Sequence, residues 1–295
     1  MLEKKCLFCR NNDKTAEIYK NSLDFNNIKS KFVTTRTVDN NLHFRIVKCL
    51  ECGLIFSNPV LEEEKLIELY KNSGSEKNSE NIMAADTYFE YFKKMVLSKD
   101  VEVLEAGCGE GYFLKRLHDY GMKNITGVEP AKEAVDNAPP EIKSKIINDR
   151  FSKKLFNGKK FDLICAFMVI EHVIDPNDFL RECFELLKPN ARMLIVSHNI
   201  NSLLSKILGE KNPVINPGHI YYFDKLTLPR LLLQAGFKKA YSKSMKNNYR
   251  LRYWFEMTPL PRFIKNRLLD FLSFTKFENI CFGIHAGNII TYAEK

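Results

Sequence analysis

The sequence predicts an α/β fold, in which a doubly wound and mostly parallel sheet of seven strands follows a small cysteine-rich unit. Two observations lead to this fold class. Short apolar runs, of the kind found in parallel strands covered on both faces, alternate with helical patterns from residue 101 to residue 197. Two further strand-like segments, at 237–245 and 288–293, follow a predicted helix at 225–235 that Gly236 ends. We expect these two segments to close the sheet as an antiparallel pair.

Composition agrees with a globular chain. The 295 residues suffice for one full α/β domain and a smaller unit, and the charged share of 27% with a hydrophobic share of 45% is typical of soluble proteins. The longest apolar stretch, at 163–170, is too short to cross a bilayer. No apolar signal core follows the first residues, so we expect a cytoplasmic protein.

The cysteine-rich unit predicts a metal site from its spacing. Cys6 and Cys9 form one C-x-x-C pair, and Cys49 and Cys52 form another. Two such pairs are typical of a tetrahedral thiolate site for zinc, closed to water and therefore structural. The interval between the pairs exceeds the usual length, so we expect it to hold extra strands near 34–38 and 43–48. A redox pair is the alternative, although neither pair begins a helix of a thioredoxin-like unit.

The remaining four cysteines are scattered through predicted elements. We expect them to be buried, reduced thiols that behave as small hydrophobic residues. They are Cys108, Cys165, Cys183 and Cys281.

The first strand of the sheet leads directly into a glycine turn and a helix. Gly107, Gly109 and Gly111 lie between the apolar run at 101–104 and the helical pattern that includes Phe113. Glycine permits a sharp turn and the close approach of a ligand, while the helix start presents unpaired N–H groups. The spacing is G-x-G-x-G rather than the G-x-G-x-x-G of dinucleotide sites. Glu105 would repel a pyrophosphate, so this turn favours a ligand with a cationic end.

Acidic residues end the next two strand-like runs. Glu129 follows the second run and can accept hydrogen bonds from both ribose hydroxyls of a nucleoside. Asp149 ends the third run, although aspartate there is also an ordinary turn residue. Both fall at the carboxyl edge, where open α/β sheets bind ligands.

These motifs together resemble those of class I S-adenosylmethionine-dependent methyltransferases. The series F-D-L-I from Phe161, E-H-V-I-D-P from Glu171 and L-L-K-P-N from Leu186 is similar to the family pattern. Asn190 replaces the usual glycine and tolerates the same left-handed backbone. The resemblance implies a seven-stranded methyltransferase sheet, S-adenosylmethionine as cofactor, Asp149 beside the adenine amino group and Phe151 as a ring contact. The cofactor residues that it implies are Glu105, Gly107, Cys108, Gly109, Gly111, Tyr112, Phe113, Glu129, Pro130, Asp149, Phe151 and Met168.

The zinc ribbon in front of these motifs narrows the resemblance to bacterial sugar-modifying methyltransferases, which include deoxysugar C-methyltransferases. Those C-methyltransferases continue with a large second α/β domain, for which this chain is too short. We therefore expect O-methylation of a sugar in a nucleotide-linked or polysaccharide precursor. N- or C-methylation of a sugar or another small molecule stays open, and so does a cofactor-binding protein without catalysis.

Methyl transfer to an alcohol requires a proton acceptor, and histidine is the side chain most readily tuned for this near pH 7. His219 lies in the connection after the fifth strand, which in the resembled fold covers the substrate. His172 directly follows the fourth strand, where it can also serve only to orient the backbone. We expect His219 to be the base, with His172, Tyr221 and Tyr222 shaping the acceptor pocket.

The carboxyl-terminal part carries most of the positive charge. Residues 238–278 hold ten Lys or Arg against three acids, a net charge of +7 out of +9 for the chain, with aromatic residues interleaved. Such a segment can lie on an anionic membrane surface, bind an acidic substrate, or pack its aromatic stripe on the core. Nucleic-acid methylation is permitted by the charge, but no Asn-Pro-Pro-Tyr-like motif for base amines is present.

The chain therefore divides into four parts. We expect a zinc ribbon at 1–60, a helical connector at 61–100, the methyltransferase domain at 101–246 with 281–295, and a basic aromatic insertion at 247–280.

Overall fold

The computed structural model describes residues 1–23, 42–71, 79–96, 98–258 and 260–295. The strand expected at 34–38 lies outside the described residues. The amino-terminal unit contains β1 (Thr15–Tyr19), β2 (Ile46–Cys49) and β3 (Ile55–Ser57), which pair antiparallel in that order. Two helices follow, α1 (Glu63–Lys71) and α2 (Ser79–Lys93).

The main domain alternates strands and helices as the sequence predicts. Its first half contains β4 (Val103–Ala106), α3 (Tyr112–Asp119), β5 (Ile125–Val128), α4 (Lys132–Asp136), α5 (Pro140–Lys143) and β6 (Ile146–Ile147). It continues with β7 (Phe161–Phe167), α6 (Pro176–Leu186), β8 (Leu187–His198), α7 (Leu203–Leu208), β9 (Tyr221–Tyr222), α8 (Thr227–Gln234) and β10 (Lys239–Ser244). The chain ends with β11 (Asn247–Arg250), α9 (Leu251–Glu256), α10 (Arg262–Thr275), β12 (Cys281–Ile284) and β13 (Asn288–Glu294).

The central sheet has seven strands in the order β10-β13-β8-β7-β4-β5-β6. Strands β6, β5, β4, β7 and β8 run parallel, while β13 pairs antiparallel with both β8 and β10. Every residue of β4 is buried, the charged Glu105 included, as expected for a parallel strand covered on both faces. The observed order and directions confirm the α/β fold class.

Local signals explain where helix α6 begins. The Asp175 side chain accepts a hydrogen bond from Asp178 N, and Pro176 occupies the first helical position, where no donor is lost. The helix buries Leu180 and Cys183 against one face of the sheet. It therefore fixes the residues of the preceding loop near the sheet edge.

The amino-terminal unit is continuous with the main domain. Phe44, Leu54 and Phe56 belong to the same buried cluster as Leu104 and Ile164 of the central sheet. Strand β9 joins the small sheet as its fourth strand, pairing Phe56 with Tyr221 and Ile55 with Tyr222. The segment before β9 is consequently held by both units.

The carboxyl-terminal insertion forms its own small hairpin sheet of β11 and β12. Residues 281–284, expected to belong to the main domain, pair with β11 and not with the central sheet. Cys281 is exposed, so the expectation that it is buried was wrong; among the strands that the structure describes, its own strand pairs with β11 alone. Cys108, Cys165 and Cys183 are buried as expected.

Candidate functional site

The glycine turn has a left-handed backbone at three alternate positions. Gly107, Gly109 and Gly111 have φ angles of 71°, 54° and 75°. The N–H groups of Gly107 and Cys108 both donate to the carbonyl of Val128, which ties the turn to the end of β5. Residues with a Cβ are strained in this conformation, so the glycines are required by the backbone itself.

The surroundings of the three glycines differ in a way that shows where a ligand can approach. A Cβ on Gly107 would lie 2.5 Å from Cγ2 of Val169, and one on Gly111 would lie 2.6 Å from Cδ1 of Ile142. A Cβ on Gly109 would meet no heavy atom of the described residues within 4 Å. The turn is therefore packed against the rest of the protein at Gly107 and Gly111 and is open at Gly109.

Glu129 spans the open side of this turn. Its Oε2 accepts a hydrogen bond from Gly109 N at 2.9 Å, and its Oε1 accepts one from Ala131 N at 2.9 Å. Each carboxylate oxygen retains a second lone pair, which suits hydroxyl donors such as those of a ribose. Burial raises the pKa of Glu129, so its ionised form gains from a bound donor.

Glu105 lies below the turn and is only 4% exposed. Its Oε2 has no hydrogen-bond partner among the residues that the structure describes. Burial, with a smaller effect of the nearby Glu129, raises the pKa of Glu105 well above its usual range. A buried carboxyl with one unpartnered oxygen, beside a second carboxyl, is a fitting receptor for a cationic group, so these residues fit S-adenosylmethionine.

Other residues expected at this site contribute in different ways. Asp149 is exposed, and its carboxylate accepts a hydrogen bond from Arg150 N at 2.7 Å. The Phe151 ring packs against Phe179, with ring centroids 5.0 Å apart, at the edge of the core. Met168 directly follows β7 with a left-handed φ of 55°. All three lie near the carboxyl edge of the sheet, at strand ends or in the loops that follow.

Two predicted cofactor residues point their side chains into the core. The Phe113 ring packs between Phe92 and Phe167, at centroid distances of 5.5 and 4.8 Å. The buried Cys108 thiol lies against Gly127 of β5. Only the backbone of these two residues faces the turn. The sequence could not show this, because a helix start exposes some side chains and buries others.

Histidines gather at the carboxyl ends of β7 and β8. The ring centroid of His219 lies 4.6 Å from that of His172 and 5.3 Å from that of His198. Glu171, which is 2% exposed, completes the group. Three potential metal-ligand atoms lie within 4.8 Å of one another, one each from Glu171, His198 and His219.

Hydrogen bonds fix the tautomers of these rings. Nδ1 of His219 lies 2.7 Å from the carbonyl oxygen of Val214, and Nδ1 of His172 lies 2.8 Å from that of Gly218. A carbonyl oxygen can only accept, so Nδ1 carries the proton in both rings and Nε2 carries the lone pair. In the neutral ring of the predicted base, Nδ1 therefore binds the backbone carbonyl and Nε2 is the nitrogen that can accept a proton.

Comparison with known proteins places the chain in a family. The family profile described as "Methyltransferase domain" matches residues 73–241, more than half of the chain. The chain belongs to this methyltransferase family.

Relatives of this methyltransferase domain carry related names. It is 25% identical over 126 residues to the ubiquinone biosynthesis O-methyltransferase of Coxiella burnetii, covering 40% of this chain and 53% of that protein. It is 29% identical over 138 residues to a probable S-adenosylmethionine-dependent methyltransferase of Mycolicibacterium smegmatis, covering 46% and 52%. The chain thus spans about half the length of these curated relatives.

A solved structure shares the fold. The YcgJ protein from Bacillus subtilis superposes with a TM-score of 0.51 at 16% identity, covering 71% of this chain and 98% of that one. At this level of identity the likeness supports the architecture of the methyltransferase domain alone.

The two tyrosines expected in the acceptor pocket face different sides of β9. Tyr222 lies on the His219 side, with ring centroids 6.2 Å apart, and its hydroxyl is 3.4 Å from Ser57 Oγ. Tyr221 instead lines a cavity of about 520 Å³ that also touches Cys6 and Asp175. Only Tyr222 is thus brought together with His219.

The four cysteines of the amino-terminal unit converge as their spacing predicts. Their sulfur atoms all lie within 4.8 Å of one another, with Cys6 Sγ 3.3 Å from Cys52 Sγ and Cys49 Sγ 3.8 Å from Cys9 Sγ. The two pairs also share a backbone pattern. Arg10 and Gly53 have φ angles of 57° and 79°, and their N–H groups donate to the carbonyls of Cys6 and Cys49.

Proposed function

We propose that the protein O-methylates a sugar of a nucleotide-linked or surface-polysaccharide precursor, with S-adenosylmethionine as the methyl donor. The observation that carries the proposal is His219, whose Nε2 bears a lone pair while its Nδ1 is held by Val214. The loop before β9 supplies this side chain at the carboxyl edge that also bears the glycine turn. In the proposed reaction, His219 Nε2 takes the hydroxyl proton of the acceptor.

The cofactor supplies an electrophilic methyl group with its own leaving group, so the protein's task is mainly positional. Glu129 and Glu105 would hold and orient the donor, while the loop bearing His219 would align the acceptor hydroxyl for transfer. Oxygen is favoured as the methylated atom because the Coxiella relative is named an O-methyltransferase. A sugar is favoured by the ribbon that precedes the methyltransferase motifs.

The decisive experiment measures product mass after incubation with a panel of nucleotide sugars and S-adenosylmethionine. His219→Ala should lower turnover on the order of 10²–10⁴-fold, since general-base catalysis contributes that much, with unchanged cofactor affinity. His118→Ala, at an exposed histidine of α3, is the matched control and should retain full turnover. Unchanged turnover in His219→Ala would remove the base assignment, and no methylated sugar in the panel would remove the acceptor class.

We also propose a structural zinc ion held by Cys6, Cys9, Cys49 and Cys52. The convergence of four sulfurs and the matched turns at Arg10 and Gly53 support it. Cys49→Ser should lose the zinc and much of the folded protein, measured by metal analysis and circular dichroism. Cys281→Ser, at an exposed thiol, is the control. A stable, zinc-free and fully active Cys49→Ser protein would contradict the proposal.

This zinc unit also supports the proposed base. Ser57 N donates to Ile220 O at 2.8 Å, and Ser57 Oγ donates to His219 O at 3.0 Å. The backbone of the loop bearing His219 is therefore hydrogen-bonded to β3, the strand that follows the cysteine pair at Cys49 and Cys52. We expect loss of zinc to lower turnover more than cofactor affinity.

We also propose that the carboxyl-terminal insertion makes peripheral contact with the anionic inner face of the cytoplasmic membrane. Phe263, Phe271 and Phe274 are 68%, 59% and 88% exposed and share one face of α10 with Arg267. Exposed aromatic residues inside a strongly basic segment are complementary to anionic lipid. Within the described part of the chain, no helix combines the length and hydropathy needed to span a bilayer.

Sedimentation with anionic vesicles at several salt concentrations tests this contact. Phe274→Ser should weaken vesicle binding on the order of tenfold, because it removes one inserted aromatic side chain. Leu226→Ser is the matched control, since Leu226 is 79% exposed but lies outside the insertion. No binding to vesicles at low salt would exclude the membrane, and a concentration-dependent dimer that Phe274→Ser disrupts would assign this face to a second copy.

A further inference from the structure

We propose that Glu171, His198 and His219 form a second metal site, which binds a divalent transition metal ion separately from the four cysteines. The three residues come from different parts of the chain. Glu171 lies just after β7, His198 ends β8, and His219 precedes β9. Their ligand atoms lie within 4.8 Å of one another. Small side-chain rotations would bring each of the three atoms to 2.0–2.2 Å from one shared ion, the distance at which imidazole and carboxylate bind zinc.

The hydrogen bonds of the two imidazoles support this site. Nδ1 of His198 lies 2.8 Å from Oδ1 of Asn288, and Nδ1 of His219 lies 2.7 Å from the Val214 carbonyl. Each ring therefore donates its Nδ1 proton to an oxygen and presents Nε2 as a donor atom to the metal. Metal-bound histidines in proteins show this same outer hydrogen bond, which sets the tautomer and the ring orientation.

The donor set indicates the class of ion. Two imidazole nitrogens and one carboxylate suit Zn²⁺, Co²⁺, Ni²⁺, Fe²⁺ or Mn²⁺ better than Mg²⁺ or Ca²⁺, which prefer oxygen ligands alone. Three protein ligands leave one coordination position for water or substrate. Glu171 and His219 are buried, and a buried carboxylate gains most from a cation.

The consequence for activity rests on the proposed function, whereas the binding itself does not. An ion bound to Nε2 of His219 occupies the lone pair that the proposed base uses. The metal-loaded protein should therefore turn over more slowly than the protein that carries zinc only in its ribbon.

Metal stoichiometry tests the site. The full-length protein, loaded with Co²⁺ and dialysed, should hold two equivalents per chain, of which only the cysteine-bound one gives thiolate charge-transfer absorption. His198→Ala should hold one equivalent, keep that absorption and bind S-adenosylmethionine as the wild type does. His118→Ala is the matched histidine control and should hold two. Should His198→Ala fold poorly, Glu171→Gln, which keeps the side-chain size, should show the same loss of one equivalent.

The possible outcomes separate this site from the proposed function. A wild-type protein whose bound Co²⁺ is all thiolate-bound by its absorption, or a His198→Ala protein that still holds two equivalents, overturns the metal site and leaves the methyl transfer untouched. Two equivalents with a turnover that rises on loading confirm the site and overturn the assignment of His219 as base.

Discussion

Replacing Gly109 by alanine separates the fold of the glycine turn from its use as a cofactor site. Gly109 has a φ of 54°, and a Cβ there meets no described atom within 4 Å. Gly158, in the loop before β7, has a φ of 82° and is equally unobstructed. Gly158→Ala is therefore a matched control, because it adds the same backbone strain far from the glycine turn.

The structure sets the expected magnitudes. An alanine in the left-handed region costs about 1–2 kcal/mol, so both variants should lower Tm by roughly 2–8 °C. Only in Gly109→Ala would the new methyl group occupy the space of the proposed cofactor site. Such overpacking costs about 1–3 kcal/mol, which raises the Kd for S-adenosylmethionine roughly 5- to 150-fold. Gly107→Ala should be less stable than either, since its Cβ would lie 2.5 Å from Val169 Cγ2.

Differential scanning fluorimetry gives the Tm values, and isothermal titration calorimetry gives the affinity for S-adenosylmethionine. The expected result is an equal loss of stability in Gly109→Ala and Gly158→Ala with an affinity loss in Gly109→Ala alone. Equal affinities in these two variants would refute the placement of the cofactor on the open side of the turn.

Three further predictions concern Glu105, the four cysteines of the amino-terminal unit and helix α6. Burial raises the pKa of Glu105, so a cationic cofactor that stabilises its carboxylate should release a proton, and affinity should rise with pH through the raised pKa. Calorimetry in buffers of different ionisation heat should show this release in wild type, and an undiminished release in Glu105→Gln would contradict the assignment. Removal of zinc by a strong chelator should lower Tm and make the Cys6 and Cys49 thiols reactive, whereas an unchanged Tm would exclude a structural ion. Asp175→Ala should cost about 1 kcal/mol in chemical denaturation, because the cap on Asp178 N is lost; no change would show that the cap adds nothing.

Features that depend on neighbouring residues were predictable from the sequence. The strand, glycine turn and helix at 101–117 are contiguous, so residue type and spacing alone indicate their geometry, and the observed left-handed glycines agree with it. The two C-x-x-C pairs indicated a metal site because each pair forms its own turn. The boundary near 281 between the insertion and the main domain was harder to predict, since a short exposed hairpin has little periodicity that distinguishes it from the strands of the main sheet.

The sequence by itself determined the fold class, the glycine turn and the cysteine pairs, because each arises from local backbone preference and apolar periodicity. Only the tertiary structure decided that His198 and Glu171 lie beside His219, since parallel strands bring residues distant in sequence to one edge of the sheet. It also decided that Phe113 faces the core and that β9 attaches the His219 loop to the amino-terminal unit. Side-chain direction at a helix start and pairing between distant strands depend on packing, which no single segment of sequence encodes.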